Sequence, residues 1–216
     1  MADPFIIDVV SDVICPWCFL GKRRLDAALE RLPDLDVMVR WRPFALDPSL
    51  PPEGMDRTEY LSRKFGAEAL ATLHDPLIAA GTELGVPYHF ERITRTPNTL
   101  DAHRLIRWSH TVERQHETAE RLFMAYWSDG EDVSDRAVLA RCAGDAGLNA
   151  AQIAELLDSD QDVENVKAEI QHATNIGVTG VPTFILAQSY ALVGAQSPEV
   201  LADAIGRVAG GMAEAE

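Results

Sequence analysis

Two cysteines separated by two residues are the side chains in this sequence with the clearest chemical potential. Cys15 and Cys18 enclose Pro16 and Trp17, and they follow a short β-branched segment that is expected to be a strand. A helix is expected to begin here, and its free N–H groups would favour a thiolate, which predicts a depressed pKa for Cys15. Cys18 is then placed to attack a mixed disulfide formed on Cys15. The spacing therefore indicates reversible thiol–disulfide exchange.

A zinc site is the main structural alternative for cysteines at this spacing. Such a site needs two more ligands, but Cys142 stands alone and His103, His110 and His116 have no matching pair motif. We therefore expect no metal. Cys142 lies in a strongly helical stretch and is expected to be a buried thiol.

The elements that must position the cysteines form two outer α/β pieces around a helical block. The pattern predicts a strand over Phe5–Val10, a helix over about Pro16–Leu32 and a strand from Val37 to Arg42, which is a βαβ unit. Strands over Thr183–Leu186 and Tyr190–Val193 come much later in the chain. A turn is predicted at Gln188-Ser189 and a helix from a Ser197 cap to Val208. In the helical block, helices are predicted to begin near Asn98, at Arg136, at Ala150 and at Val163, with caps at Asn98, Ser134 and Asn149. A helix break or kink is predicted at Asp75-Pro76.

The outer pieces together are expected to build one sheet, with the helical block inserted between them. The predicted fold class is α/β. The predicted domains are a discontinuous one over residues 1–45 and 178–216 and an all-helical insertion over residues 46–177.

Composition narrows the classes of partner. Nineteen Lys and Arg against 34 Asp and Glu give a formal charge of −15, and an acidic surface repels nucleic acid and anionic membranes. No apolar run approaches the ~18–20 residues of a membrane-spanning helix. The segment that begins at Met1 has no basic region of a secretory signal, so we expect a cytoplasmic protein.

A second motif, Gly180-Val181-Pro182-Thr183, precedes the first of the late strands. A proline at the start of a strand cannot donate to the ladder there, but the motif alone has little specificity. Combined with Cys15-Pro16-Trp17-Cys18, it resembles the thioredoxin superfamily. The order βαβ, helical insertion, ββα is similar to the DsbA branch of that superfamily.

Within that branch the sequence most resembles the FrnE-like members, over about residues 5–208. Five separated motifs in the same order carry this resemblance: Ser11-Asp12-Val13-Ile14-Cys15-Pro16-Trp17-Cys18, Gly21-Lys22-Arg23-Arg24, Trp41-Arg42-Pro43-Phe44, Pro97-Asn98-Thr99 with Asp101-Ala102-His103-Arg104, and Gly194-Ala195-Gln196-Ser197-Pro198.

The resemblance implies a thioredoxin-like fold with a cis peptide before Pro182, in a loop that faces the two cysteines. The backbone of Val181 would pair with an extended substrate, either a peptide or glutathione disulfide. Pro16 and Trp17 would also contact the substrate, although Trp17 could instead fold back onto the insertion.

Other polar residues have two readings each. Asn98 would bond a substrate carboxylate or carbonyl, or is a plain N-cap; Ser197 opens a helix that would bind a glutathione carboxylate, or is a simple cap. Asp12 and Asp8 are candidate proton acceptors for Cys18, or solvated and capping residues. The run from Lys22 to Arg24 would attract an anion or is a solvated helix face.

The proteins that this sequence resembles carry out more than one kind of chemistry. Isomerases of 2-hydroxychromene-2-carboxylate and kappa-class glutathione transferases typically carry Ser at the position of Cys15, and a hydroxyl cannot resolve a mixed disulfide. Because this chain keeps both sulfurs, we favour a thiol–disulfide oxidoreductase or isomerase acting on protein or small-molecule disulfides and thiols. No cofactor is implied, and glutathione is a candidate cosubstrate. The alternatives are a glutathione-dependent isomerase or transferase, and a non-catalytic binding module.

Overall fold

Four strands form the main sheet of the computed structural model, which describes residues 3–66, 68 and 72–213. The outermost residues of the predicted discontinuous domain, 1–2 and 214–216, lie outside the described residues. In chain order the strands are β1 (Phe5–Ser11), β2 (Val37–Pro43), β3 (Met55–Asp56), β4 (Arg95–Thr96), β5 (Thr183–Leu186) and β6 (Tyr190–Val193). The helices are α1 (Pro16–Leu29), α2 (Arg57–Phe65), α3 (Asp75–Thr82), α4 (Leu100–Ser109), α5 (Gln115–Trp127), α6 (Arg136–Asp145), α7 (Ala150–Leu157), α8 (Val163–Asn175) and α9 (Pro198–Ala213).

The main sheet joins the two ends of the chain, as the sequence predicts. Its strand order is β2-β1-β5-β6, with β1 parallel to β2 and the other neighbours antiparallel. The central strand β1 is covered on both faces, which explains its nearly continuous apolar sequence. The fold is thioredoxin-like α/β with a helical insertion, so the predicted fold class is confirmed.

Alternate residues of β1 point to different cores. Ile7 and Val9 belong to the large core, together with Leu25 of α1 and Leu201 of α9. Val10 instead packs in a smaller core against residues of α8 and the segment that follows it. The period of two along the strand thus separates an α1 and α9 side of the sheet from an α8 side.

Several predicted element ends are corrected. Helix α1 ends at Leu29 rather than Leu32. The predicted cap at Ser134 is wrong: Asp135 is the N-cap of α6 and accepts a hydrogen bond from the Ala137 N–H at 2.7 Å. The Ser134 hydroxyl is occupied by Asp132, at 2.6 Å.

The Asp75-Pro76 dipeptide begins a helix instead of breaking one. Pro76 lies in the first turn of α3, where a missing N–H costs nothing. The predicted cap at Asn149 is confirmed, since its side chain accepts hydrogen bonds from Ala151 and Gln152.

The inserted block also contains a short ladder that the prediction of an all-helical block lacks. Met55 of β3 pairs with Thr96 of β4 in antiparallel register. Among the described residues, no helix combines the length and apolar composition that crossing a bilayer demands.

The late hairpin turn lies one residue earlier than predicted. Ala187 and Gln188 both have positive φ, at 46° and 57°, and the Ser189 N–H closes the turn on the Leu186 carbonyl at 3.0 Å. Two central residues of positive φ match the twist of the flanking strands.

Candidate active site

The two cysteines lie where β1 gives way to α1. Cys15 is the N-cap residue of α1, with extended backbone angles, and Pro16 occupies the first helical position. The Cys18 N–H donates to the Cys15 carbonyl at 3.0 Å, which closes the first turn. The two thiols are not joined in a disulfide, and Cys15 lies close enough to Cys18 to raise its pKa. The arrangement brings both sulfurs to one helix end.

Burial raises the pKa of the Cys18 thiol well above its usual value. The hydrogen bond and charge of Cys15 raise it further, the Asp12 backbone lowers it, and the Asp12 carboxylate raises it again. Cys18 is 1% exposed. It is therefore held as a protonated thiol, and it needs a base before it can act as a nucleophile.

The loop before β5 closes over Cys15. The Val181–Pro182 peptide bond is cis, as the resemblance implies. The Cys15 thiol donates to the Val181 carbonyl, with Sγ and O 3.5 Å apart. The Pro182 carbonyl accepts from the Gly194 N–H at 2.8 Å, and the Thr183 hydroxyl donates to the Gly180 carbonyl at 2.7 Å. These bonds hold the loop against the cysteines and the last hairpin.

Gly21 allows this loop to approach α1. A Cβ atom built at position 21 would lie 2.8 Å from Cγ of Pro182 and 3.3 Å from the ring of Phe184. Atoms that close cannot coexist without movement, so the absence of a side chain at position 21 is a packing requirement of the site.

Asp12 lies just before Cys15 and is 1% exposed. Its Oδ2 accepts a hydrogen bond from the Leu46 N–H at 2.8 Å, and its Oδ1 accepts from the Ile14 N–H at 3.4 Å. His103 Nε2 lies 3.6 Å from the same Oδ1. Asp12 is thus a buried carboxylate near Cys18 that accepts hydrogen bonds from two backbone N–H groups.

Asp8 has different surroundings. Its carboxylate accepts two hydrogen bonds from Arg40, at 2.9 and 2.7 Å, and one from Arg42 at 2.7 Å. It lines a cavity of about 600 Å³ between the sheet and α8, and neither Cys15 nor Cys18 lines that cavity. The structure therefore brings Asp12, but not Asp8, together with the cysteines.

Two aromatic residues of the insertion hold the backbone of the active-site turn, and the sequence analysis did not identify them as site residues. The Tyr88 hydroxyl donates to the Pro16 carbonyl at 2.6 Å, and the Trp127 indole N–H donates to the Val13 carbonyl at 2.9 Å. Burial, and then the charge of nearby Cys15, raises the pKa of Tyr88, which keeps its hydroxyl a donor. No local pattern marks either contact, because the bonded residues are 72 and 114 positions apart.

The remaining candidate substrate contacts have clear positions. Trp17 follows Pro16 in the first turn of α1 and is 39% exposed. Asn98 lies two residues before α4, and its side-chain N–H donates to the Leu50 carbonyl at 2.8 Å while its Oδ1 accepts from the Leu100 N–H at 3.0 Å. The N-cap position of α4 is Thr99, so the predicted cap at Asn98 is one residue too early, because the helix begins only at Leu100. Ser197 caps α9 with a long bond from the Val200 N–H, at 3.4 Å.

The basic run after the cysteines is held by acidic and carbonyl partners, and only Lys22 within it is buried. Lys22 is 4% exposed and contacts Asp26 at 2.8 Å and Glu120 at 3.1 Å. Arg23 pairs with Glu120, and Arg24 donates to the carbonyl of Ala195. The expectation of a solvated face is therefore wrong for Lys22, because α5 supplies acidic partners.

Cys142 is buried, as predicted, and burial raises its pKa to about 11. Within the ranges that the structure describes, no three His, Cys, Asp or Glu side chains converge as a metal site requires.

Comparisons with known proteins identify a matching family model and a relative of similar length. A family model described as the DsbA-like thioredoxin domain matches residues 6–206. The uncharacterized protein YwbO of Bacillus subtilis (strain 168) is 30% identical over 202 residues, covering 92% of this chain and 94% of that protein.

Solved structures with the same fold include different chemistries. The probable DsbA oxidoreductase SCO1869 of Streptomyces coelicolor is 30% identical, with a TM-score of 0.85 over 95% of this chain and 90% of its own. A 2-hydroxychromene-2-carboxylate isomerase is 17% identical, with a TM-score of 0.73 over 98% and 99%. The cytosolic disulfide reductase DsbM of Pseudomonas aeruginosa, solved with GSH, is 18% identical, with a TM-score of 0.67 over 94% and 98%. The last two similarities concern the fold alone.

Proposed function

Because this chain belongs to the family of DsbA-like thioredoxin domains, we propose that it is a thiol–disulfide oxidoreductase with Cys15 as nucleophile and Cys18 as resolving thiol. One observation carries the proposal: two free thiols lie beside each other at the start of α1. The substrates are disulfides or thiols of proteins or small molecules.

The reaction has two balanced exchange steps. The Cys15 thiolate attacks one sulfur of the substrate disulfide, and the other substrate sulfur leaves with the bonding electron pair. Cys18 then loses its proton to Asp12, bonds to the Cys15 sulfur and expels the second substrate thiolate. The chain loses two electrons, the substrate gains them, and an external thiol reverses the process. The reaction requires no metal or prosthetic group.

The loop before β5 is the proposed substrate platform. The Val181 carbonyl already accepts from the Cys15 thiol, so an extended substrate beside Val181 and Pro182 comes in line with that sulfur. Exposed Trp17 gives this cleft an aromatic rim next to Pro16.

Glutathione is the proposed small-molecule cosubstrate. The fold is shared with a disulfide reductase that was solved with GSH. Ser197 at the start of α9 and Asn98 before α4 are the proposed carboxylate and carbonyl contacts, since helix N-termini favour anions. The cytosolic location of that reductase agrees with the proposal that this protein is cytoplasmic.

Reduction of insulin disulfides by the purified protein with a thiol reductant tests the oxidoreductase function. We expect turnover by the wild type and loss of it in Cys15→Ser, because a hydroxyl cannot form the mixed disulfide. In Cys18→Ser we expect a mixed disulfide on Cys15 to accumulate, visible by mass spectrometry. Cys142→Ser is the matched control and should keep full activity. Full activity of Cys15→Ser would overturn the assignment of the nucleophile.

The similarity to an isomerase supports a second candidate, a glutathione-dependent isomerase. An enzyme that only orients glutathione has no need of Cys18, so Cys18→Ser would keep its activity on an isomerase substrate. A binding module without catalysis would show no exchange in either assay.

A further inference from the structure

His103 lies on α4 of the insertion and reaches the end of β2, and its side chain is 2% exposed. Its Nε2 is 3.0 Å from the Phe44 carbonyl oxygen and 3.6 Å from Oδ1 of Asp12. A carbonyl oxygen can only accept a hydrogen bond, so Nε2 must carry a proton. This N–H is bonded to Phe44, and Nε2 also lies within electrostatic contact of the buried carboxylate, beyond hydrogen-bond distance.

The two oxygens of Asp12 are not held equally. Oδ2 has a short bond from the Leu46 N–H, whereas Oδ1 has only the 3.4 Å bond from Ile14 and the nearby N–H of His103. A buried charge depends on such donors because water cannot replace them. His103 is the polar side chain nearest to the weakly held oxygen, and it acts on that oxygen electrostatically at 3.6 Å.

His103 also fixes the segment that supplies the donor to Oδ2. The Phe44 N–H bonds the Ser11 carbonyl at 3.0 Å, next to Asp12 in the chain. Two residues later the Leu46 N–H reaches Asp12 itself. By bonding the Phe44 carbonyl, His103 adds a third contact that fixes the segment from Phe44 to Leu46 against the loop that carries Asp12.

Other titratable groups lie around Asp12 and the segment from Phe44 to Leu46. Burial raises the pKa of Tyr60 on α2, and the charges of Asp47 and Asp12 add to that shift. Lys64 contacts the Tyr60 hydroxyl at 2.9 Å and the Leu46 carbonyl at 3.4 Å. The groups that face Asp12 from the elements around it are Cys15 and Cys18 on α1, His103 on α4, Tyr60 and Lys64 on α2, and Asp47 after β2.

We propose that His103 is a positioning residue that holds Asp12 as a proton acceptor, so that the rate of resolution by Cys18 depends on a histidine of the insertion. The proposal rests on the proposed function. When Sγ of Cys18 bonds to Sγ of Cys15, its proton goes to Asp12, and the electron pair of the broken bond leaves on the substrate sulfur. His103 touches neither sulfur and acts only through Asp12.

The test follows the two steps separately in a Cys142→Ala background. An aromatic disulfide with a coloured thiolate product releases one thiolate when Cys15 attacks and a second when Cys18 resolves the mixed disulfide. His103→Leu removes the donor. We expect the second release to slow about tenfold below neutral pH, and the acidic midpoint of its pH profile to rise by about one pH unit. The first release should be unchanged.

Three further variants make the result specific. His103→Gln carries an N–H near the Nε2 position and should restore the wild-type profile. His103→Asn is too short to reach Phe44 and should repeat the Leu phenotype, which covers the case in which the Leu variant does not fold. His110→Gln, at the exposed end of α4, is the matched control and should have no effect.

Asp12→Asn separates this proposal from simple destabilisation. In that background, replacing His103 should cause no further change in the profile, since the group through which it acts is gone. A wild-type profile in folded His103→Leu or His103→Asn, or a shift that persists without Asp12, overturns the proposal. Absence of the first thiolate release in the wild type would instead overturn the proposed function.

Discussion

The surroundings of Asp8 and Asp12 differ, although both residues are buried and lie on β1 or in the loop directly after it. Asp8 faces α8 and accepts hydrogen bonds from two guanidinium groups, Arg40 and Arg42. Asp12 faces the cysteines and meets backbone N–H groups and a histidine. Asp8 therefore balances the charge of two cations, whereas the hydrogen-bond donors on Asp12 are backbone N–H groups.

The largest expected effect is on stability at Asp8. Asp8→Ala leaves the Arg40 guanidinium, whose side chain is 18% exposed, without its partner, and should lower the free energy of unfolding by about 3 kcal/mol. Chemical denaturation measures this. Asp203→Ala, which removes an exposed pair with Arg207, is the control and should cost less than about 1 kcal/mol. Equal losses in both would show that Asp8 behaves as a surface charge.

Asp12 should affect rate more than stability. Asp12→Asn is nearly isosteric but cannot accept the Cys18 proton, so release of the second thiolate should slow about 100-fold at neutral pH, or about 2.7 kcal/mol. The same assay on Asp8→Asn should show no slowing. If both variants slow the step alike, the distinction between the two aspartates fails.

A third prediction concerns the Cys18 proton itself. The Asp12 carboxylate raises the pKa of Cys18, so Asp12→Asn should lower the alkaline midpoint of the Cys18 thiol in a titration of ultraviolet thiolate absorbance. Asp8→Asn should leave the midpoint in place.

The stability of the reduced protein should follow the sign of the same shift. A raised pKa means that the folded state holds the Cys18 proton more tightly than the unfolded state does. This stabilisation is fully present below the ordinary thiol pKa of about 9, and it is lost as pH rises above that value. Cys18→Ala should flatten this alkaline decline, and an unchanged decline would contradict the assignment.

The smallest effect is expected within the Asp8 cluster. The Arg42 side chain is 41% exposed and that of Arg40 is 18% exposed. Arg42→Gln should therefore cost less than about 1 kcal/mol, whereas Arg40→Gln should cost about 2 kcal/mol. The reverse order would show that the exposed arginine supports the carboxylate.

The sequence could predict the features that depend on residues close together in the chain. The β-branched run of β1, the alternation of β2, the helix between them and the cysteines at the first turn all follow from local sequence patterns and helix-end chemistry over about 40 residues. The end strands and the caps at Asn149 and Ser197 follow for the same reason. Ser134 was the wrong cap because an equally good capping side chain, Asp135, follows it directly.

The contacts that depend on distant partners were not predictable in this way. Lys22 has the sequence neighbours of a solvated residue, and only the packing of α5 brings Glu120 to it. Tyr88 and Trp127 support the active-site turn from far along the chain. Asp8 stood out as an acid in an apolar strand, but its balance by arginines depends on the parallel register that pairs it with Arg40.

A single hydrogen atom at position 21 has a consequence for how the protein tolerates change. Gly21 lies outside the Cys15–Cys18 and Gly180–Thr183 segments, yet the side chain of any larger residue there would clash with Pro182. The clash would push the loop before β5 away from α1 and would move the Val181 carbonyl away from Cys15, while both thiols remained chemically intact. A free-thiol assay would give the normal count for such a variant, although its proposed substrate-binding loop had been displaced.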